Sequence, residues 1–247
     1  ANKGLEKMIY LVLVFTQFLF GANFVTSKYV LEHINSWQFV FIRFLVSGLT
    51  LFVILYFRKN HRPLVLSRKF VLWAMGLGIL GFALSQTLFL QGLKMTTAAN
   101  TSILSTTIPL LTYAVSVFRG KRLLDFQSSL GFLVAFIGVL ILKEVDKMSF
   151  ENTSFIGDLV VFLACFSIAS FISYSKDFFM QVPAMLGTAY LFTFGSLFLA
   201  PFSLGRGSWG WTPLLESDPA FLGCFLFTIF GATLMTYLLS NWTLKKI

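Results

Sequence analysis

Long runs of apolar residues alternate along the chain with short segments that carry charged or turn-forming residues. A helix needs about 20 mostly apolar residues to cross the roughly 30 Å hydrocarbon core of a bilayer. The runs exceed the about 10 residues of a membrane strand and show no polar and apolar alternation, which favours helices over a barrel. The eight predicted spans are Met8 to Ser27, Ser36 to Phe57, Phe70 to Leu93, Thr97 to Phe118, Phe126 to Leu142, Ile156 to Ser175, Val182 to Phe202 and Ala220 to Asn241.

The composition indicates that lipid is the solvent for most of the chain. Of 247 residues, 57% are hydrophobic and 12% are charged, and the mean hydropathy is +0.81. A soluble domain has about a quarter of its residues charged. These values argue against a soluble enzyme, a nucleic-acid-binding domain and a disordered chain. The predicted fold class is all-α, a polytopic transmembrane helix bundle that has the lipid bilayer as a partner.

The distribution of Lys and Arg predicts how the spans are oriented. With the N-terminus inside, the inner segments hold 13 basic residues and the outer segments hold 5. Because basic residues concentrate on the cytoplasmic side, the N-terminus is expected in the cytoplasm, and the membrane is expected to be a bacterial cytoplasmic membrane. The same asymmetry explains the net charge of +9, so no nucleic acid is expected as a partner.

Two short matches predict an internal repeat. Residues 23–28 at the end of the first span align with residues 171–176 at the end of the sixth, at an offset of 148. Residues 93–94 align with 244–245, at an offset of 151. A repeat of five spans re-enters the membrane from the opposite side, which is the inverted topology typical of secondary transporters. The predicted halves are 1–149, with spans one to five, and 150–247, with spans six to eight.

The repeat also predicts that the second half is incomplete. The counterparts of spans four and five would begin near residue 248, whereas the chain ends at Ile247. We therefore expect two spans, on the order of 50 residues, to be missing through truncation or because the chain is a fragment. A true eight-span protein is the alternative.

Four stretches of the chain resemble the drug/metabolite transporter superfamily, specifically its EamA-type ten-span members. They are Gly21-Ala22-Asn23-Phe24-Val25-Thr26-Ser27-Lys28, Arg43-Phe44-Leu45, the run from Lys94-Met95-Thr96-Thr97-Ala98-Ala99-Asn100 to Pro109, and Gly131 with Gly138. The resemblance implies ten helices in two inverted halves, with a substrate cavity that opens alternately to each side. It also implies export or exchange of small metabolites.

The sequence departs from the family pattern after the fourth span. The family usually places a Glu there, followed by a basic residue, whereas this chain has Arg119-Gly120-Lys121-Arg122. The role of that Glu therefore cannot be carried over to this chain.

The fourth span is unusually polar for a membrane helix. At helical spacing Thr101, Ser105, Thr112 and Ser116 share one face, which is expected to look into the protein. The interpretations left open are a substrate-lining face and hydroxyls that bond to the preceding helical turn. The predicted substrate-binding residues of this span are Asn100, Thr101, Ser105 and Pro109, with Pro109 offering a kink and an unpaired carbonyl.

Two amides in other spans are also candidates. Gln86 lies well inside the third span, where its polar atoms need partners. Asn23 lies in the first span beside Gly21. Each is predicted either to bind polar groups of the substrate or to form a hydrogen bond between helices.

Arg43 is the one charged residue well inside an apolar run, seven residues after Ser36. That spacing places it about 10 Å along the helix from the outer end. Charged residues at such depth are functional candidates, and a substrate carboxylate or phosphate would be the natural partner. The alternative is that the long side chain reaches the outer headgroups.

Aromatic residues cluster at the end of the eighth span. Trp242 is predicted to be an interfacial anchor, since aromatic side chains favour the membrane surface. Tyr237 lies deeper and is predicted to contribute to substrate binding.

The leading functional hypothesis is a secondary transporter for a small polar metabolite such as an amino acid. The chain has no G-x-x-x-x-G-K motif for ATP, and Asp158 lies near an outer edge rather than deep in a span. Cys165 and Cys224 lie in apolar runs, and no metal or cofactor is expected. The alternatives are a membrane-embedded enzyme and a small-molecule sensor. The protein is expected to be a monomer or a homodimer.

Overall fold

The computed structural model describes residues 3–58, 67–123, 125, 130–131, 134, 137–138, 153–205 and 219–239. Within these residues every regular element is a helix, and seven helices are long and apolar enough to cross a membrane. The helices are α1 (Lys3–Leu31), α2 (Ser36–Phe57), α3 (Arg68–Met95), α4 (Ala98–Ser105), α5 (Ile108–Phe118), α6 (Thr153–Gln181), α7 (Ala184–Leu204) and α8 (Pro219–Leu239). The short helices α4 and α5 together form the fourth membrane-length helix.

These helices confirm the predicted all-helical membrane architecture. Predicted spans one to four and six to eight each coincide with a helix, within a few residues at the ends. The predicted fifth span, Phe126 to Leu142, lies largely outside the described residues. Seven membrane-length helices are therefore present in the described part of the chain, and the eighth is not confirmed.

Polar residues begin several helices at the predicted joints. The side chain of Asn35 accepts a hydrogen bond from the backbone N–H of Trp37 at 3.1 Å and caps α2. Thr97 caps α4 by accepting from the N–H of Asn100 at 3.1 Å. Such caps satisfy backbone donors that have no partner in the first helical turn.

The chain divides into two compact units, Ala1–Gly78 with Phe179–Ile247, and Ile79–Phe178. In the first unit, α2 packs against both α7 and α8 through two neighbouring rows of side chains. The row that faces α8 contains Phe39, Arg43 and Ser47. The row that faces α7 contains Phe44, Gly48 and Phe52. Residues four apart share a helix face, so a single helix can serve both neighbours.

Glycine permits a close approach of two helices in the first unit. A Cβ atom on Gly78 of α3 would lie 2.6 Å from the carbonyl oxygen of Leu191 and 3.0 Å from the backbone nitrogen of Gly195, both in α7. Small residues at such contacts let the backbones of membrane helices approach, because packing rather than water exclusion drives their association.

Two of the membrane helices contain a wider, π-helical segment. The segment in α3 covers Ile79–Leu84, and the segment in α8 covers Phe227–Met235. In α8 the hydroxyl of Thr233 donates to the carbonyl of Thr228 at 2.7 Å, five residues earlier. Such segments are rare and often occur at functional positions.

In the second unit, α6 runs antiparallel to the second half of α3. Ser167 of α6 donates to the carbonyl of Leu80 at 2.8 Å, while Asp158, earlier in α6, accepts from Thr96 just after α3. A Cβ on Gly92 of α3 would lie 2.5 Å from a methyl carbon of Val161. Glycine therefore again allows close packing.

The fourth membrane-length helix runs parallel to α6 in the same unit. Cys165 of α6 donates to the carbonyl of Leu104 in α4 at 3.7 Å. Further along both helices, Ser116 and Ser173 form a hydrogen bond of 3.0 Å. From the first contact to the second, residue numbers increase in both helices, so the helices run in the same direction.

Candidate functional site

The candidate site is built around Arg43, which lies in α2 within the first unit. Its side chain is 3% exposed, so the guanidinium is held inside the protein. Its Nε donates a hydrogen bond to the hydroxyl of Thr233 in α8. The rings of Phe39 and Phe44 flank it, with their centroids 5.8 and 5.7 Å from Cζ. Cation–π contacts of this kind offset part of the cost of burying the charge.

The guanidinium keeps an unfilled donor. Nη1 of Arg43 is buried and has no hydrogen-bond partner among the described residues. The ion pairs found within the described ranges involve Asp177 of the other unit, so no carboxylate pairs with Arg43 there. Buried polar groups are nearly always hydrogen-bonded, which makes this donor exceptional.

The π-helical segment of α8 explains how the arginine is oriented. Because the Thr233 hydroxyl donates to the carbonyl of Thr228, its oxygen is left to accept from Arg43. One turn along α2, Ser47 donates to the carbonyl of Ile229 at 3.4 Å. Two hydroxyls thus satisfy carbonyls of the irregular segment, and one of them also positions the guanidinium.

Tyr237, which was also predicted from the sequence, lies one turn beyond Thr233 in α8. Its ring packs edge-on against Phe192 at 5.3 Å, and Phe192 packs against Phe44 at 5.1 Å. Phe192 therefore contacts both Tyr237 and Phe44, the residue next to Arg43. The structure therefore brings these two predicted residues to one site.

Asn23 of α1 is half-buried in the same unit. Its Oδ1 accepts a hydrogen bond from the Ser27 hydroxyl at 3.2 Å. This bond lies within α1, so the geometry connects Asn23 with its own helix.

In the second unit, Asn100 belongs to a polar corner where α3 meets α4. Its Nδ2 donates to the Thr96 hydroxyl at 3.2 Å, and that hydroxyl donates to Oδ1 of Asp158 at 2.8 Å. Ser154 lies 3.4 Å from the same hydroxyl oxygen. The chain of hydrogen bonds ends on the carboxylate and ties α6 to the corner.

The other candidates of the second unit form mostly local bonds. Thr101 donates to the carbonyl of Thr97 at 2.9 Å, and Ser105 donates to that of Thr101 at 2.7 Å. Pro109 is exposed at the start of α5, after the break between the two short helices. Gln86 of α3 is half-buried. The hydroxyls thus bond to the preceding turn, and a role in substrate binding remains a prediction for all four residues.

Sequence reasoning missed the hydroxyls around Arg43. Thr233 and Ser47 both lie in apolar runs. Ser47 could have been found, because it follows Arg43 by four residues and so shares its face. Thr233 carried no signal in the sequence, since its importance depends on which helix packs against α2.

Arg119, at the departure from the family pattern, joins α5 to α6. Its Nη2 lies 2.6 Å from Oδ2 of Asp177, and its Nη1 donates to Ser173. Its Cζ lies 3.8 Å above the ring of Tyr174. Lys121 approaches the same carboxylate at 3.6 Å. These contacts hold together the ends of two parallel helices.

We expect Asp177→Asn to loosen this helix end, because Arg119 and Lys121 lose their anionic partner. The ion pair is partly exposed, so the decrease in melting temperature should be small, on the order of 2 °C, and smaller still at high salt. Thermal unfolding of the purified protein in detergent measures it. Lys176→Gln, at the exposed neighbouring position, is the control. Equal effects of both substitutions would contradict the assigned ion pair.

Membrane-length apolar helices and a buried, positioned guanidinium define an integral membrane protein with polar groups inside its helical bundle. Residues 7–143, more than half of the chain, match the EamA-like transporter family. The chain belongs to this family, which confirms the resemblance to the drug/metabolite transporter superfamily.

The relatives found by sequence are named as transporters. The chain is 25% identical to the uncharacterized transporter YetK of Bacillus subtilis (strain 168) over 201 residues, 81% of this chain and 61% of the relative. It is 26% identical to the uncharacterized transporter YyaM of the same organism over 243 residues, 97% of this chain and 78% of the relative. It is 30% identical to an S-adenosylmethionine uptake transporter of Rickettsia bellii (strain RML369-C) over 132 residues, 53% of this chain and 44% of the relative.

Proposed function

We propose that the protein is a secondary transporter that exports or exchanges a small metabolite, such as an amino acid, by alternating access. Family membership supports transport in general. The relative from Rickettsia bellii is named for S-adenosylmethionine, which is an amino-acid derivative. This similarity is compatible with amino acids and their derivatives as the substrate class.

The positions of the two π-helical segments support the proposal that the chain consists of two related halves. One begins at Ile79 in the third predicted span and the other at Phe227 in the eighth, an offset of 148 residues. The alignment of residues 23–28 with 171–176 has the same offset. Irregular helices at corresponding positions of two repeats are typical of secondary transporters. The match supports an inverted five-span repeat with the proposed halves 1–149 and 150–247.

The helix directions support the proposed topology. Because α5 and α6 are parallel, the proposed topology needs a membrane crossing between them. The proposed fifth span, Phe126 to Leu142, supplies one such crossing and gives eight spans in total. The bias of Lys and Arg supports a cytoplasmic N-terminus, and the bacterial relatives support a bacterial cytoplasmic membrane.

The proposed binding residues are found in both units, and most of them carry polar side chains. In the first unit they are Arg43, Tyr237 and Asn23, of which Arg43 has the strongest support. In the second they are Gln86, Asn100, Thr101, Ser105 and Pro109. The proposed transporter works as a monomer or a homodimer.

Counterflow tests the proposed function. The full-length protein is reconstituted into liposomes that are loaded with unlabelled amino acids and related metabolites, including S-adenosylmethionine. We expect saturable uptake of one labelled class, stimulated by the same class inside and absent from protein-free liposomes. No exchange of any class by correctly folded protein would contradict transport of these metabolites and favour a sensor or a membrane-embedded enzyme.

A further inference from the structure

We propose that Arg43 is the anchor for a substrate carboxylate, so that this transporter selects small molecules carrying one carboxylate group. The inference rests on the proposed transport function and assigns its substrate class. The starting observation is a buried positive charge in the first unit that has no described negative partner. Arg43 is the only charged side chain that is buried among the described residues, and the described part of the chain supplies it with no acidic partner.

The energetic argument concerns the unfilled donor. A buried donor without a partner is costly, and a charged donor in the membrane interior is more costly still. Thr233 and the two flanking phenylalanine rings offset only part of the cost of burying the guanidinium. Nη1 remains without a partner in the described residues. A bound anion would satisfy it and neutralise the charge.

The geometry favours a planar anion. Because Nε is held by the Thr233 hydroxyl, the plane of the guanidinium is oriented before any ligand arrives. The Nη side of a guanidinium presents N–H groups whose spacing matches the two oxygens of a carboxylate. Phe39 and Phe44 give the guanidinium apolar flanks, and the attraction between opposite charges is stronger in such surroundings.

The charge balance favours a carboxylate over a phosphate. One guanidinium neutralises one negative charge, whereas a phosphate monoester carries nearly two at neutral pH. No second buried cation accompanies Arg43 in the ranges that the structure describes. A dianion would therefore enter the apolar surroundings of Arg43 with uncompensated charge.

Matched ligand pairs test the inference directly. Each pair consists of a carboxylate compound and the amine left by its decarboxylation: leucine with 3-methylbutylamine, methionine with 3-methylthiopropylamine, and S-adenosylmethionine with its decarboxylated form. Two assays compare the members: inhibition of counterflow, and thermal stabilisation of the purified full-length protein in detergent. In one or more pairs, the carboxylate compound should act at concentrations about tenfold or more below those of the amine. A hydrogen bond to a charged group contributes a preference of that size.

For each variant we compare the effective concentration of the amine with that of the carboxylate compound. This ratio does not depend on how much of the protein is folded. Arg43→Gln should bring the ratio close to one. Arg43→Lys keeps the charge without the planar fork and should retain part of the preference, and it replaces Arg43→Gln if that variant does not fold. Arg68→Gln, at the exposed start of α3, removes a similar charge and should leave the ratio unchanged.

The two proposals fail in different ways. Counterflow without any carboxylate preference, or a full preference in Arg43→Gln, would overturn the carboxylate anchor while transport stands. Absence of counterflow together with carboxylate-selective stabilisation that Arg43→Gln abolishes would support the anchor and overturn transport of these compounds. Absence of both counterflow and selective stabilisation would overturn the anchor for these ligands as well.

Discussion

Replacing Gly78 with alanine is expected to destabilise the helical bundle, whereas the same change at Gly76 is not. The added Cβ at Gly78 would lie 2.6 Å from the Leu191 carbonyl oxygen and 3.0 Å from the Gly195 nitrogen. Both are backbone atoms, so α7 itself has to move away from α3. Overpacking of this kind costs about 2 kcal/mol of unfolding free energy, within the usual range of 1–3 kcal/mol.

Gly76 is a matched control because it lies half a turn away on the same helix. A Cβ there would meet nothing within 4 Å. The substitution removes only the conformational freedom of glycine, so it should be neutral or stabilising by up to about 1 kcal/mol. Denaturation of both variants in detergent gives the difference. If both lose equal stability, the close contact of α3 with α7 is wrong.

Thr233→Val is expected to weaken carboxylate recognition while leaving the bundle folded. Valine has nearly the same shape as threonine but offers no oxygen to accept from Nε of Arg43. The guanidinium then loses the bond that orients it, although its charge remains. Because a hydrogen bond to a charged group is worth about 1.5–3 kcal/mol, we expect the affinity for the carboxylate substrate to fall about tenfold or more.

Thr236→Val provides the comparison in the same helix. Thr236 is also buried and also donates to a carbonyl five residues earlier, that of Gly231, at 3.2 Å. Thr236→Val removes the same kind of hydrogen bond to a backbone carbonyl. Thr236 has no described hydrogen bond to Arg43, so the orientation of the guanidinium should not change. Half-saturation concentrations in counterflow separate the two variants. Equal weakening by both substitutions would show that Thr233 acts only on the structure of α8.

Properties that depend on neighbouring residues in the sequence were predicted correctly, whereas properties that depend on contacts between distant segments were not. Whether Ser36–Phe57 forms a membrane helix depends on consecutive residues and their transfer from water to lipid, so the span was predictable. Arg43 was identifiable for the same reason, because one charge inside an apolar run is visible without a partner. The polar face of the fourth span was visible too, but its hydroxyls could serve either their own helix or a neighbour.

From the sequence alone follow the membrane helices and the presence of one charged residue, Arg43, deep inside an apolar run. The burial of Arg43, its hydrogen bond to Thr233, 190 residues away, and the contact of Gly78 with α7 emerge from the fold. The physical reason is that each helix satisfies its backbone hydrogen bonds alone, so local sequence determines its formation. Which helix faces meet depends on packing among all the helices, and no single segment of the chain encodes it.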